Sequence, residues 1–278
     1  IAMCMPLMVG YAAILGNHPC PRNARMGPRN ICPRSKREHR MIVREYDGPL
    51  TGPLRALQQR IVACRQCPRL VEFRERKATT ERRAGFREWD YWGAAVPSHG
   101  DPNARLLLVG LAPASHGGNR TGRMFTGDPT ADFLAAALHR AGFASQATSL
   151  HRDDGLTLTD AFETAVVRCA PPNDKSTSEE QRTCRAYLHE ELELLSNLKV
   201  VLAFGRVAFD NFLRALRERT GEKLRFDFKH GARYDLGDGL PTLFATYHPS
   251  PRNTNTGRLT APMLDAVFTA VRTFLEQP

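Results

Sequence analysis

No stretch of this 278-residue chain comes near the roughly 20 consecutive apolar residues that a membrane-spanning helix needs, so no membrane partner is expected. Neither G-x-x-x-x-G-K-[ST] nor G-x-G-x-x-G occurs, which counts against the two commonest glycine-loop functions, nucleoside-triphosphate and dinucleotide binding. Cysteine is sparse and odd in number, seven in all, a poor basis for a disulfide framework in a chain expected in the cytoplasm. Lysine is scarce too: six stand against 33 arginines, a bias that a GC-rich genome alone can produce.

The formal charge is +10, but residues 1–40 hold seven Lys/Arg and one acidic residue. They carry +6, leaving +4 for everything after, a body basic enough to neutralise a few phosphates. Residues 1–15 are apolar without a preceding positive segment, and 19–40 are rich in Pro, Arg and Asn without periodicity. Residues 1–40 therefore read as a disordered or non-native extension, with an upstream extension or misplaced start suggested by Ile1 and a signal peptide as the alternative. Residues 41–278 read as one domain, since 42% hydrophobic residues suffice for a sizeable core.

Leu54 to Val71 has apolar residues near helical spacing and contains Cys64-x-x-Cys67, which reads as a helix running into a metal-binding turn. Residues 74–88 are highly charged and read as a solvated connection. Arg105–Gly110, Thr164–Arg168, Val200–Phe204 and Thr242–Tyr247 are apolar runs of the kind buried on both faces of a parallel sheet. Helices are expected over Pro129–Ala141, Ser178–Ser196, Arg206–Arg219 and Ala261–Leu275, and a hairpin over Arg225–Phe228 and Arg233–Leu236. Alternating strands and helices predict an α/β fold, a mainly parallel sheet between two helical layers, with sites at the carboxyl ends of strands.

Cys64, Cys67, Cys169 and Cys184 form two pairs about a hundred residues apart, beside turn-forming prolines. Four thiolates from two segments suit one tetrahedral ion or one cubane cluster, and spacing does not choose between zinc and iron–sulfur. The loop from Gly110 to Asp128 carries five glycines after a buried strand and ends on Asp128-Pro129. Asp before Pro is also the ordinary N-cap of a helix, and one residue can do both jobs.

The Gly110-Leu-Ala-Pro-Ala opening, the Asn119-Arg-Thr-Gly-Arg-Met-Phe-Thr-Gly-Asp128 continuation, the four cysteines and His248-Pro-Ser-Pro-Arg-Asn-Thr-Asn-Thr-Gly-Arg258-Leu-Thr resemble the family 5, or type b, uracil-DNA glycosylases. The resemblance covers about Leu54 to Leu275. It implies a three-layer α/β/α sandwich with a [4Fe-4S] cluster on the four cysteines. It also implies a monofunctional glycosylase that flips uracil out of DNA, hydrolyses its N-glycosidic bond and leaves an abasic site. Where the best-known uracil glycosylases place a carboxylate, two residues after the first glycine, this chain has Ala112. The resemblance assigns the catalytic acid to Asp128, base stacking to Phe125 and hydrogen bonding to uracil O2 to His248.

Gly110, Ala112, Pro113, Ala114 and Asn173 complete the expected base pocket, and Asn119, Arg120, Ser250, Arg252, Asn253, Asn255 and Arg258 the expected DNA contacts. The related type a enzymes read uracil with an Asn where this chain has Ala165, so a wider range is expected: hypoxanthine, xanthine or ethenocytosine beside uracil. The implied partner is DNA bearing such bases, met by a monomer in the nucleoid. A non-catalytic iron–sulfur module that binds nucleic acid is the alternative, and a nucleotide-metabolising enzyme a third.

Overall fold

Apolar runs decide the centre of the molecule. In the computed structural model, which describes residues 42–277, four five-residue strands lie side by side and parallel: β2 (Leu106–Gly110), β3 (Ala161–Ala165), β4 (Val200–Phe204) and β6 (Thr242–Thr246). Two-residue strands close the edges antiparallel, β1 (His99–Gly100) on β3 and β5 (Arg233–Tyr234) on β6, giving the order β1-β3-β2-β4-β6-β5. These residues belong to one compact unit, Met41–Pro278. The expected residues 1–40 extension lies outside the described residues.

Because side chains alternate along a strand, each strand feeds two cores. Leu107, Val109, Val201, Ala203, Leu243 and Ala245 face α1 (Gly52–Val62), α5 (Ser178–Leu194) and α6 (Arg206–Thr220). Leu106, Leu108, Val200, Leu202 and Phe244 face α4 (Pro129–Arg140) and α8 (Ala261–Leu275). The result is three layers, helices over both faces of one sheet. Among the described residues no helix is long and apolar enough to cross a membrane.

Several boundaries differ from the sequence reading. The Leu54–Val71 segment is two helices, since the chain leaves α1 at Val62 and restarts as α2 (Pro68–Thr79) with Cys67 as its N-cap and Pro68 at the first helical position. That second helix takes in residues 74–79 of the supposed solvated connection, with Arg74 and Glu75 buried. Strand β3 starts three residues earlier than expected. Beyond it, Val166 and Val167 donate their N–H groups to the carbonyls of Gly110 and Leu111. The expected hairpin does not form: residues 225–228 are not a strand, and Arg233–Tyr234 pairs with β6 instead.

Parallel pairing brings the carboxyl ends of the central strands to one edge. Gly110 lies opposite Ala165, and Phe204 opposite Thr246. The long loop after β2, with the short α3 (Gly118–Thr121), and the turn after β6, with α7 (Pro251–Thr254), both leave from this edge.

Candidate active site

The loop after β2 delivers Asp128 to the start of α4. Its Oδ1 accepts hydrogen bonds from the backbone N–H groups of Thr130 at 2.9 Å and Ala131 at 3.1 Å, which caps the helix. Its Oδ2 is turned toward Gly117, where a Cβ would stand 1.9 Å from it. Only a residue without a side chain leaves that oxygen its space. Burial raises the Asp128 pKa above the ordinary carboxylate value, outweighing the two backbone hydrogen bonds that act to lower it.

His248 lies two residues beyond the end of β6. The protein packed around the ring pushes its pKa down to about 4, so the imidazole is neutral near pH 7. Behind it stands Gly205, at a φ of +85°, with its ideal Cβ position 3.3 Å from the His248 Cβ. The side chain of Asn253 donates to the His248 carbonyl at 2.8 Å and ties the turn of α7 to this residue.

Asp128 and His248 line one small pocket of about 50 Å³ together with Ala112, Pro113, Ala114, Phe125 and Ala165. Phe125 has a φ of +43°, a left-handed conformation that costs a non-glycine residue on the order of 1–3 kcal/mol and persists only where surroundings enforce it. Its ring packs edge-on against Phe204, 5.5 Å between centroids, and over Gly110, whose Cβ would lie 2.5 Å from it. A larger cavity of about 690 Å³ opens on the other side of Asp128, lined by Lys77, Arg83, Phe86, Trp89, His116 and Asn173 among others. Asp128 is common to both.

Cys64, Cys67, Cys169 and Cys184 line one further pocket, all as free thiols. Burial pushes the Cys169 thiol up to about 11 and the Cys184 thiol up to about 12. Arg74, itself 1% exposed, donates from Nη1 to the Cys169 Sγ at 2.8 Å and from Nη2 to the Cys64 carbonyl at 2.9 Å. The Arg168 backbone N–H donates to the Cys184 Sγ at 3.3 Å. Among the described residues, no three His, Cys, Asp or Glu side chains converge closely enough to hold a single metal ion.

A sequence model of the uracil DNA glycosylase superfamily matches residues 97–272, the span holding the sheet and both site loops. The chain belongs to that superfamily. Among its relatives, a type-5 uracil-DNA glycosylase of Thermus thermophilus is 47% identical over 218 residues, covering 78% of this chain and 96% of that protein. One of Mycobacterium tuberculosis is 46% identical over the same share of this chain and 80% of its own length. One of Pyrobaculum aerophilum is 44% identical over 75% of this chain and 88% of its own.

Within this superfamily member, several residues expected at the substrate stand elsewhere. Asn119 is fully buried and donates its amide to the Arg74 carbonyl at 3.1 Å, so it binds α2 and is not open to DNA. Arg120, 3% exposed, donates to the carbonyls of His116 at 2.7 Å and Gly127 at 2.6 Å and lies over the rings of both Phe86 and Trp89. It braces the loop and is not an exposed phosphate contact. Asn173 lines the larger cavity rather than the small pocket, and Gly110 lies under Phe125.

Arg252, Asn255 and Arg258 are exposed beside His248, with the Arg258 guanidinium 4.6 Å from the Tyr247 ring centre. Ser250 is partly exposed as the N-cap of α7. The wall formed by Phe73, Lys77, Arg83, Phe86 and Trp89 was not anticipated. Its one signal was three aromatics spaced through a charged segment that had no other use for them.

Proposed function

We propose that this protein is a uracil-DNA glycosylase acting in DNA repair. The observation that carries the reading is that Asp128 and His248, 120 residues apart in sequence, line one pocket walled by Phe125 at the carboxyl ends of parallel strands. Type-5 uracil-DNA glycosylases at 44–47% identity support it.

In this reading the uracil nucleotide is extruded from the duplex, at a cost of a few kcal/mol, and its base enters the small pocket against Phe125. Base–aromatic stacking offsets part of that, about 1–3 kcal/mol. As the bond to the sugar breaks, negative charge grows on the base and positive charge on the sugar. His248, neutral, donates an N–H to the base oxygen without adding a full charge to the pocket. Asp128 keeps Oδ1 on the helix amides while Oδ2 orients water and balances the sugar's charge.

The pocket wall at Ala165 offers no side-chain amide to test the edge of the base, which supports turnover of hypoxanthine, xanthine or ethenocytosine as well. For the four cysteines we propose a [4Fe-4S] cluster. Four free thiols lining one pocket are a donor set for such a group, and Arg74 and the Arg168 amide supply donors to the sulfurs. The cluster would supply structural cross-linking of α2 to the start of α5, and no step of the base chemistry needs it.

Incubation of the purified protein with a uracil-containing duplex followed by alkaline cleavage tests the activity: strand scission at the uracil is expected, and none from an Asp128→Ala variant. An intact strand with the unmodified protein overturns the reading. Replacing uracil with hypoxanthine tests the wider range, and absorbance near 400 nm with about four irons per chain tests the cluster.

A further inference from the structure

The cavity in front of Asp128 contains more built polar structure than a solvent cleft requires. His116 lies on its wall, and its Nδ1 is 3.0 Å from the hydroxyl of Tyr91, which is 1% exposed and fixed in place. With Nδ1 engaged by that hydroxyl, Nε2 is the ring nitrogen left to meet a ligand. Burial, then the fields of Lys77, Arg83 and Arg120, hold the ring below the ordinary histidine pKa, which keeps it a neutral donor.

The charges around it are arranged for an anion. Arg83 is exposed and has no ion-pair partner among the described residues, whereas Lys77 shares its charge with Glu81 at 2.8 Å. Arg120 is locked by carbonyls and contributes its field rather than a contact. Asp132 and Asp174, the other acids on the lining, are exposed, where water and salt screen them.

Position narrows the anion further. Asp128 borders both the 50 Å³ pocket and this cavity. A nucleotide whose base fills the pocket has its sugar at Asp128, and the phosphodiester attached to that sugar has the larger cavity as its space. We propose that His116, oriented by Tyr91, and Arg83 form a subsite for the DNA phosphodiester that flanks the extruded nucleotide. The proposal rests on the glycosylase reading and goes beyond it by assigning a contact that pins the strand while the base is out of the stack.

The test measures binding to a duplex carrying a stable abasic-site analogue across a salt series, beside steady-state kinetics on uracil duplex. Arg83→Ala is expected to reduce the slope of log affinity against log salt by about 1. His116→Ala is expected to weaken binding and raise KM about tenfold, a factor worth about 1.4 kcal/mol, with kcat changed by about twofold or less. His116→Gln, whose side-chain amide can donate, should recover part of the loss, and Tyr91→Phe should fall between it and the parent.

Parental affinity and salt slope in both Arg83→Ala and His116→Ala overturn the proposal, as does a loss confined to kcat. Arg83 is exposed, so its variant stays informative if the His116 or Tyr91 variants melt early. Failure of the glycosylase reading looks different: the parent protein then releases no base, whatever the variants bind.

Discussion

Asp128 carries two duties on two oxygens, and they can be separated. Asn is as good an N-cap as Asp but cannot carry charge, so Asp128→Asn should slow uracil release by about 100-fold or more while leaving the helix start intact. The raised pKa fixes the sign of its effect on stability. A carboxyl that holds its proton more tightly when folded contributes stability at low pH and loses it as pH rises through the raised value. Asp128→Asn should therefore melt at or above the parent temperature at pH 8; a clearly lower melting temperature there would contradict that ordering. For His248 the sign is opposite: with a folded pKa of about 4 against about 6.5 unfolded, stability should fall as pH drops from about 6.5 to 4. Activity should show no break near 6.5 from this residue, since the neutral donor persists, and His248→Asn should retain more activity than His248→Ala.

At the scale of elements, two glycines hold the two site residues from behind. A methyl at Gly117 would displace the free oxygen of Asp128, whereas one at Gly205 would press on His248 and strain a φ of +85°. Gly117→Ala should lower kcat about tenfold or more, and raising the pH should not restore it, because the defect is one of position. Gly205→Ala should also destabilise the fold, by about 1 kcal/mol or more, visible in denaturant melts. Neither constraint was legible in the sequence, where both glycines read as loop. The sheet was, because Val200–Phe204 and Leu106–Gly110 are apolar on both faces and leave no other fate. The limits of β3 were not, since the amides of Val166 and Val167 stay hydrogen-bonded past its last residue, Ala165. Composition also misled at Asn119 and Arg120: polar residues in a glycine-rich loop look solvated, and only the packing of α2 and of Phe86 and Trp89 reveals them as internal braces.

Across the whole molecule, polar side chains tie distant layers together. Arg168 and Glu191, 1% and 0% exposed, form a buried ion pair at 2.5 Å, with Ser98 bonded to both and Thr164 to Glu191. Loss of one partner from such a pair leaves a buried charge and costs about 3–5 kcal/mol, so Glu191→Ala should unfold well below the parent temperature. If the four cysteines hold the proposed cluster, Cys184→Ser should abolish the absorbance near 400 nm and lower thermal stability, since metal binding to the folded state contributes to folding free energy. One residue links that pocket to the chemistry: Arg74 reaches Cys169 with its guanidinium and Asn119 with its carbonyl. Sulfur oxidation at the cysteines would thus loosen the very segment that seats the catalytic loop, and the earliest symptom of such damage would be slow repair rather than visible unfolding.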